Sequence, residues 1–204
     1  LENLQPIGSF KLRGAINAMR STDPERLKAG VWTASMGNMA QGVAWAAREM
    51  GIKATVVVPE DATRSKLAAM EELGASIRTI PRDAWFDLIL HSHDYPGMVG
   101  LFIHPASNRD VMAGQGTIGL EILEDLPDVN AVITPFGGGG LTAGVASAIQ
   151  LLKPSTRRYA CVLDTGAPLA PSRAAGEPVT VTPKPEPRYA SGFSGAPSVA
   201  DEMW

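Results

Sequence analysis

Lys11 is the residue of this sequence whose surroundings best suit covalent chemistry. It lies in the segment GSFKLRGA of residues 8–15, between a Gly-Ser-Phe turn and a helix start rich in small residues. A lysine drawn into an apolar pocket has a lowered pKa, because desolvation disfavours its charged form. A neutral amine can then attack a carbonyl carbon and form a Schiff base. Spacing alone leaves open an ordinary surface lysine, which is the more common case.

Four consecutive glycines, Gly137, Gly138, Gly139 and Gly140, lie in the segment PFGGGGLTAG between a predicted strand and a predicted helix. They expose backbone N–H groups at a helix start, where the partial positive charge favours a phosphate. A flexible turn is the alternative, although four glycines make an entropically expensive one. Their spacing matches neither the dinucleotide-binding nor the nucleoside-triphosphate-binding motif.

A third segment, TASMGNMAQG of residues 33–42, has the same strand, loop and helix order. Ser35, Gly37 and Asn38 precede a helix and could hold a carboxylate through backbone N–H groups and the serine hydroxyl. Asn38 and Gln41 add polar groups that can reach a ligand. Ordinary helix capping by serine or asparagine explains the pattern equally well, so both interpretations stay open.

Strands and helices alternate along the chain between these three segments. The predicted strands are 31–34, 53–58, 75–80, 100–104, 129–134 and 158–163. The predicted helices are 11–20, 39–50, 63–73, 82–93, 114–126 and 141–152. This alternation predicts an α/β fold built from right-handed βαβ units with parallel sheets. From Gly166 onward proline, glycine and small polar residues predict loops.

The composition excludes several classes of protein. The 204 residues are 45% hydrophobic and 19% charged, which is ordinary for a globular protein. A net charge of -3 gives no electrostatic reason to expect a nucleic-acid partner. No apolar run approaches the roughly 18 residues of a membrane span, so we expect no membrane partner. Because Cys161 is the single cysteine, we expect no intrachain disulfide and a cytoplasmic location.

The three histidines do not form a metal-binding pattern. His91, His93 and His104 show no ligand spacing with a cysteine or with paired carboxylates. We therefore expect structural or surface roles for them and no metal site.

Taken together, these segments resemble the fold-type II pyridoxal-phosphate enzymes, and within them the threonine/serine dehydratase group. The matching text spans residues 5–152 and includes GSFKLRGAINAM, TASMGNMAQGVAWAAREMG, AGQGTIGLEILEDLPDV and AVITPFGGGGLTAGVASAI. The resemblance implies two parallel-sheet α/β domains of the tryptophan synthase β-like class. A small inserted domain would comprise residues 31–112, and the large cofactor-binding domain residues 1–30 and 113–204.

The resemblance also implies a role for each matching residue. Lys11 would carry pyridoxal 5′-phosphate beside Phe10, and Asn38 would hydrogen-bond the ring hydroxyl of the cofactor. The cofactor phosphate would be gripped by Gly137, Gly138, Gly139 and Gly140, with Leu141 opening the helix. The substrate would be bound by Ser35, Met36, Gly37, Met39 and Gln41.

The implied reaction is dehydration and deamination of a β-hydroxy amino acid, such as L-threonine or L-serine, to a 2-oxo acid and ammonia. Serine racemases carry a serine where this chain has Met36, and a thioether carries no proton, so racemisation is disfavoured. Met39 stands where many relatives have histidine. The alternatives are another eliminase or racemase on the same fold, or a non-catalytic fragment that binds a phosphorylated ligand. Relatives of this kind are commonly homo-oligomers.

Several features depart from the family pattern. Family chains are longer, so we expect the sequence to be truncated at both ends, without the serine or cysteine that contacts the pyridine nitrogen. The segment RYASGFSGAP of residues 188–197 has Ser191 where the family has an aspartate. The position of a metal-binding glutamate in serine racemase-like members is taken by Val162, with only Asp164 nearby, so no metal site of that kind is expected.

Overall fold

The computed structural model describes residues 1–162 and 167–181. Within these ranges the chain forms two compact units, of which the first spans Leu1–Pro105 and the second begins at Ala106. Asp164 and the segment 188–197 lie outside the described residues. The division of residues 31–112 from the rest of the chain stays a prediction.

The first unit is an α/β structure built on a four-stranded parallel sheet. Its strands are β1 (Val31–Ala34), β2 (Ala54–Pro59), β3 (Ser76–Ile80) and β4 (Leu101–Phe102), in the order β3-β2-β1-β4. Its helices are α1 (Lys11–Arg20), α2 (Pro24–Leu27), α3 (Asn38–Glu49), α4 (Arg64–Glu72) and α5 (Arg82–Asp87). A 3-10 helix at Glu2–Leu4 precedes α1, and a π-helical segment at Leu88–Ser92 follows α5.

The core of this unit lies around the two central strands. All four residues of β1 are buried, as are Val56, Val57 and Val58 of β2, which is typical of parallel strands covered on both faces. Trp85 of α5 is buried in the same core, where its indole N–H donates to the carbonyl oxygen of Val57 at 3.0 Å. The one polar group of this large side chain is thereby satisfied.

The second unit combines a parallel strand pair with two closely packed helices. Its strands are β5 (Ala131–Pro135) and β6 (Arg157–Cys161), and its helices are α6 (Arg109–Asp125), α7 (Gly140–Leu152) and α8 (Leu169–Ala175). A Cβ atom on Gly144 of α7 would lie only 2.1 Å from the carbonyl oxygen of Met112 on α6. The two helix backbones therefore approach each other at a distance that only glycine allows.

The predicted α/β class with parallel sheets is confirmed, and the structure has a strand at each of the six predicted positions. The helix predicted for residues 82–93 is α5 followed by the π-helical segment Leu88–Ser92, and two further helices differ from prediction. The helix predicted to begin at Gly114 begins at Arg109, because the side chain of Asn108 caps it by accepting from the N–H of Val111 at 2.9 Å. Helix α8 was not predicted; its Pro171 lies in the first turn, where a missing N–H leaves no bond unmade.

No helix within the described ranges has both the length and the apolar composition needed to cross a membrane.

Candidate active site

Lys11 is the first residue of α1, and its side-chain amine is held in a fixed place. The amine donates a hydrogen bond to the backbone carbonyl oxygen of Pro105, a buried residue that follows β4. The ring centroid of Phe10 lies 5.5 Å from the same nitrogen. Burial lowers the pKa of Lys11 from 10.5 to about 8, because desolvation disfavours the charged amine. The environment is therefore the desolvated one predicted for a nucleophilic lysine.

The turn of α1 that follows Lys11 is fastened by an ion pair. The guanidinium of Arg13 contacts the carboxylate of Glu2 in bidentate fashion, with Nε to Oε2 and Nη2 to Oε1 both at 2.8 Å. The hydrogen bond from Arg13 lowers the pKa of Glu2 below its ordinary value. This pair joins the 3-10 helix to α1, and sequence reasoning missed it because nothing in the spacing of two separate segments indicates their contact.

The segment between β1 and α3 leaves a helix start available to a ligand. Ser35 Oγ accepts a hydrogen bond from the N–H of Gly37 at 3.2 Å, and Gly37 is the N-cap residue of α3. Among the described residues no side chain caps this helix, and Asn38 is exposed as its first residue. The capping interpretation is therefore not what the geometry shows, and the first N–H groups of α3 lack intrahelical acceptors. Such an end suits a carboxylate.

The other residues predicted to bind substrate differ in burial. The side chain of Met39 is 2% exposed and lies in the core, so that its backbone N–H is the group left for a ligand. Met36 is half-buried and packs against the cluster that contains Trp32 and Trp85. Gln41 is half-buried on the second turn of α3.

The glycine loop lies in the second unit, between β5 and α7. Gly139 is the N-cap of α7 with φ of 95°, a backbone conformation that favours glycine. A Cβ atom on Gly140 would lie 2.8 Å from the carbonyl oxygen of Ala106, whereas a Cβ atom on Gly137 would meet nothing within 4 Å. Glycine is thus favoured at Gly139 by its positive φ and required at Gly140 by the nearby carbonyl oxygen of Ala106. At Gly137 the loop is open.

Both ends of this loop are anchored by hydrogen bonds. The N–H of Phe136 donates to the carbonyl oxygen of Cys161 at 2.8 Å, which extends the strand pairing up to the first glycine. The hydroxyl groups of Thr134, which precedes the loop, and of Thr142, which follows it, lie 3.0 Å apart. Gly138 and Leu141 are half-buried between these anchors. The first turn of a 13-residue helix therefore presents its unpaired N–H groups from a fixed position.

Two of the three histidines have structural roles. Nε2 of His93 and Nε2 of His104 each lie 3.0 Å from the carbonyl oxygen of Ile89. Because a carbonyl only accepts, both rings donate from Nε2. The π-helical segment makes this possible, since the N–H of His93 bonds to Leu88 and not to Ile89. His91 is exposed, and the described part of the chain holds no cluster of three or more metal-ligating side chains.

Comparison with known proteins identifies the family. A family model described as pyridoxal-phosphate dependent enzyme matches residues 1–204. The chain belongs to the pyridoxal-phosphate-dependent enzyme family. The L-threonine ammonia-lyase of Thermotoga maritima is 47% identical over 159 residues, which are 77% of this chain and 39% of that protein.

Solved structures of family members have the same fold. The processed form of threonine deaminase isoform 2 from Solanum lycopersicum matches with a TM-score of 0.84 and 33% identity, over 98% of this chain and 59% of that one. Maize serine racemase matches with a TM-score of 0.79 and 34% identity, over 91% of this chain and 56% of that one. The chain thus spans less than two thirds of the length of each of these family members.

Each unit offers groups that fit one part of a phosphorylated aldehyde cofactor. In the second unit the glycine loop offers backbone N–H donors at the start of α7, with open space at Gly137. In the first unit Lys11 offers an amine of lowered pKa. A further polar group was missed by sequence reasoning. The side-chain amide of Gln115 on α6 is 1% exposed, and neither its nitrogen nor its oxygen has a partner in the part of the chain that the structure describes. The signal was a glutamine within the small-residue segment AGQGTIGL.

Proposed function

We propose that this chain belongs to an enzyme that removes water from a β-hydroxy amino acid, such as L-threonine or L-serine. The enamine so formed would be released and hydrolysed by water to a 2-oxo acid and ammonia. The observation that carries the proposal is the Lys11 amine, which donates to the carbonyl oxygen of the buried Pro105 and has its pKa lowered to about 8 by desolvation. An amine that is partly neutral near this pH can attach to an aldehyde and can also take up a proton. The similarity to a protein named L-threonine ammonia-lyase supports threonine as a substrate.

Lys11 would both hold the cofactor and move the proton. Pyridoxal phosphate, when bound, supplies an aldehyde that takes up an amine and a ring that stores the electron pair left by the departing α-proton. In the resting protein Lys11 would attach the cofactor, and its freed amine would accept the α-proton of the substrate at Nζ. The hydrogen bond to Pro105 restricts the amine to one direction. Its lowered pKa keeps much of it in the basic form near pH 8.

Backbone donors would bind the phosphate. The N–H groups of Gly137–Gly140 and of Leu141 would surround the phosphate oxygens, and the positive end of α7 would favour their negative charge. Phe10 would border the cofactor beside Lys11, and Asn38 would donate to its ring hydroxyl. The exposure of Asn38 leaves its amide accessible for this contact.

The start of α3 would orient the substrate. The backbone N–H group at Met39 and the hydroxyl of Ser35 would bind the substrate carboxylate, and Gln41 would add a polar contact. Gly37 would hold the Ser35 hydroxyl in place, since its N–H donates to that oxygen. Holding the carboxylate fixes which bond at the α-carbon faces Lys11. Met36 has no titratable proton, so a second acid or base for inversion at the α-carbon is not supplied at this position.

A racemase acting on a small hydroxy amino acid is the second candidate function. It is favoured by the structural similarity to maize serine racemase. The TM-score of that match, 0.79, is close to the 0.84 of the match to the threonine deaminase from Solanum lycopersicum. Met36 favours elimination over racemisation.

A homo-oligomeric assembly and a cytoplasmic location remain predictions.

Turnover of L-threonine and of L-serine by the purified protein with added pyridoxal phosphate would test this function. We expect 2-oxo acid and ammonia from L-threonine and from L-serine in equal amounts, with no D-serine formed from L-serine. Accumulation of D-serine would support the racemase, and no product from either amino acid would support a non-catalytic binding fragment. Lys11→Ala serves as the inactive control, and Lys66→Ala, which changes an exposed lysine, as the matched surface control.

A further inference from the structure

We infer that Gly42 is a positioning residue for Lys11, because it lets α3 contact the backbone of α1 at the residue that carries the amine. Through this contact Gly42 sets the place of the amine relative to the start of α3. The functional importance of the position of the amine rests on the proposed function. The contact between Gly42 and the backbone of α1 lies within the first unit alone.

The contact at Gly42 is tighter than a side chain ordinarily makes. A Cβ atom on Gly42 would lie 3.3 Å from both the carbonyl carbon and the carbonyl oxygen of Lys11, and 3.4 Å from the N of Leu12. These are backbone atoms, which cannot rotate aside as the end of a side chain can. A methyl group at this position therefore displaces one helix from the other by a few tenths of an ångström.

The first helix has little freedom to absorb such a displacement. The Lys11 side chain is bonded at its far end to Pro105, which belongs to neither helix. Two residues further along α1, Arg13 is fastened to Glu2. A shift of the Lys11 backbone would therefore stretch the bond to Pro105 or open the pocket around the amine.

The same helix carries the candidate carboxylate site at its start. Gly37 caps α3, and Gly42 lies on its second turn, so that a short rigid stretch of helix joins the two. Gly42 is the only glycine of α3. Its neighbours Val43 and Ala44 are buried with their side chains in place, so the small residue is required at one point of the helix and not along its length.

Simple packing is the competing explanation, and it makes a different prediction. If Gly42 serves packing alone, adding a methyl group lowers stability and leaves the chemistry of the Lys11 amine unchanged. If Gly42 positions Lys11, the methyl group also changes the solvation of the amine. A more solvated amine has a higher pKa, so its acylation requires a higher pH.

Competitive acylation of lysines as a function of pH, with peptide mass analysis, distinguishes these explanations in the cofactor-free protein. The variant is Gly42→Ala, and the matched control is Gly116→Ala, whose Cβ would lie 3.1 Å from the carbonyl oxygen of Gly144 in the second unit. Both variants add one methyl group to a helix against a neighbouring backbone. Circular dichroism and thermal unfolding report whether each protein is folded.

We expect the midpoint of Lys11 acylation to rise in Gly42→Ala and to stay at the wild-type value in Gly116→Ala. At pH 8 this corresponds to a fall of about threefold or more in the acylation rate of Lys11. A folded Gly42→Ala protein with the wild-type profile would overturn the inference. If that variant unfolds in buffer, sucrose raises its folded fraction without touching the contact, and the same comparison is made there.

The assay also separates this inference from the proposed function. No substrate or cofactor is present, so loss of the lyase proposal would leave the acylation result intact. Conversely, wild-type turnover of L-threonine together with an unchanged Gly42→Ala profile would remove the role of Gly42 and leave the lyase proposal in place.

Discussion

The side-chain amine of Lys11 donates a hydrogen bond to the backbone carbonyl oxygen of Pro105, 94 residues further along the chain. This bond joins the beginning and the end of the first unit. It also explains how a lysine remains in a pocket that lowers its pKa, since one of its N–H groups has a buried acceptor. The stability of the unit and the reactivity of the amine are therefore linked through one interaction.

Replacing Lys11 by methionine should stabilise the cofactor-free protein at neutral pH. The folded-state pKa of Lys11 is about 8 and its ordinary value is 10.5, so the unfolded chain binds more protons between these values. Wild-type stability should therefore rise from pH 8 to 10.5 relative to Lys11→Met, by up to about 3 kcal/mol. Urea unfolding of both proteins across this range measures the difference, and a constant difference would contradict the lowered pKa.

Replacing Glu2 by glutamine should loosen the start of α1. Its half-buried, bidentate pair with Arg13 should contribute about 1 kcal/mol of stability. Because the pKa of Glu2 is lowered from its ordinary 4.5, this contribution is present above that pH and is lost as the pH falls through the folded-state pKa. Urea unfolding at pH 7 and in acid measures it.

The control for this prediction is Glu25→Gln, which breaks an exposed pair with Lys28. We expect a change of less than about 0.5 kcal/mol there, because solvent screens an exposed pair. Equal losses in the two variants would show that burial of the Glu2 pair has no effect.

Replacing Gln115 by leucine should stabilise the cofactor-free protein. The amide of Gln115 is buried without a partner in the described part of the chain, and an apolar group of similar size removes the desolvation penalty. We expect a gain of about 1–2 kcal/mol in the free energy of unfolding. Gln115→Asn, which keeps the amide, is the control. A loss of stability in Gln115→Leu would mean that a buried water satisfies the amide.

Two glycines of the loop should respond differently to alanine. Gly140→Ala places a methyl group 2.8 Å from the carbonyl oxygen of Ala106, whereas Gly137→Ala faces open space. We expect Gly140→Ala to weaken pyridoxal phosphate binding by about tenfold or more, because the helix start must move. Gly137→Ala should bind almost as the wild type does. Absorbance titration measures both affinities, and equal effects would contradict the steric argument.

Much of the fold was predictable because its signals are local. Each apolar strand, each amphipathic helix and the glycine loop of residues 137–140 can be recognised from a short stretch of consecutive residues. The early start of α6 also had a local signal in Asn108, which the prediction did not use. Helix α8 was missed because Pro171 suggests a loop unless it lies in a first turn.

The contacts that tune the site could not be predicted in the same way. The bond between Lys11 and Pro105 and the pair between Arg13 and Glu2 depend on how separate segments pack. The contact between Gly42 and Lys11 is of the same kind, since a single glycine in a helix does not reveal its neighbour. Residue types indicated which groups could react, and only the tertiary structure shows what holds them in place.

Mapping the site of cofactor attachment tests the central claim most directly. The purified protein is mixed with pyridoxal phosphate, scanned for a visible absorbance band, reduced with borohydride and digested for peptide mass analysis. The account predicts a band that disappears on reduction and a single cofactor adduct on Lys11. Adducts distributed over exposed lysines such as Lys53 and Lys66, or no band at all, would contradict it.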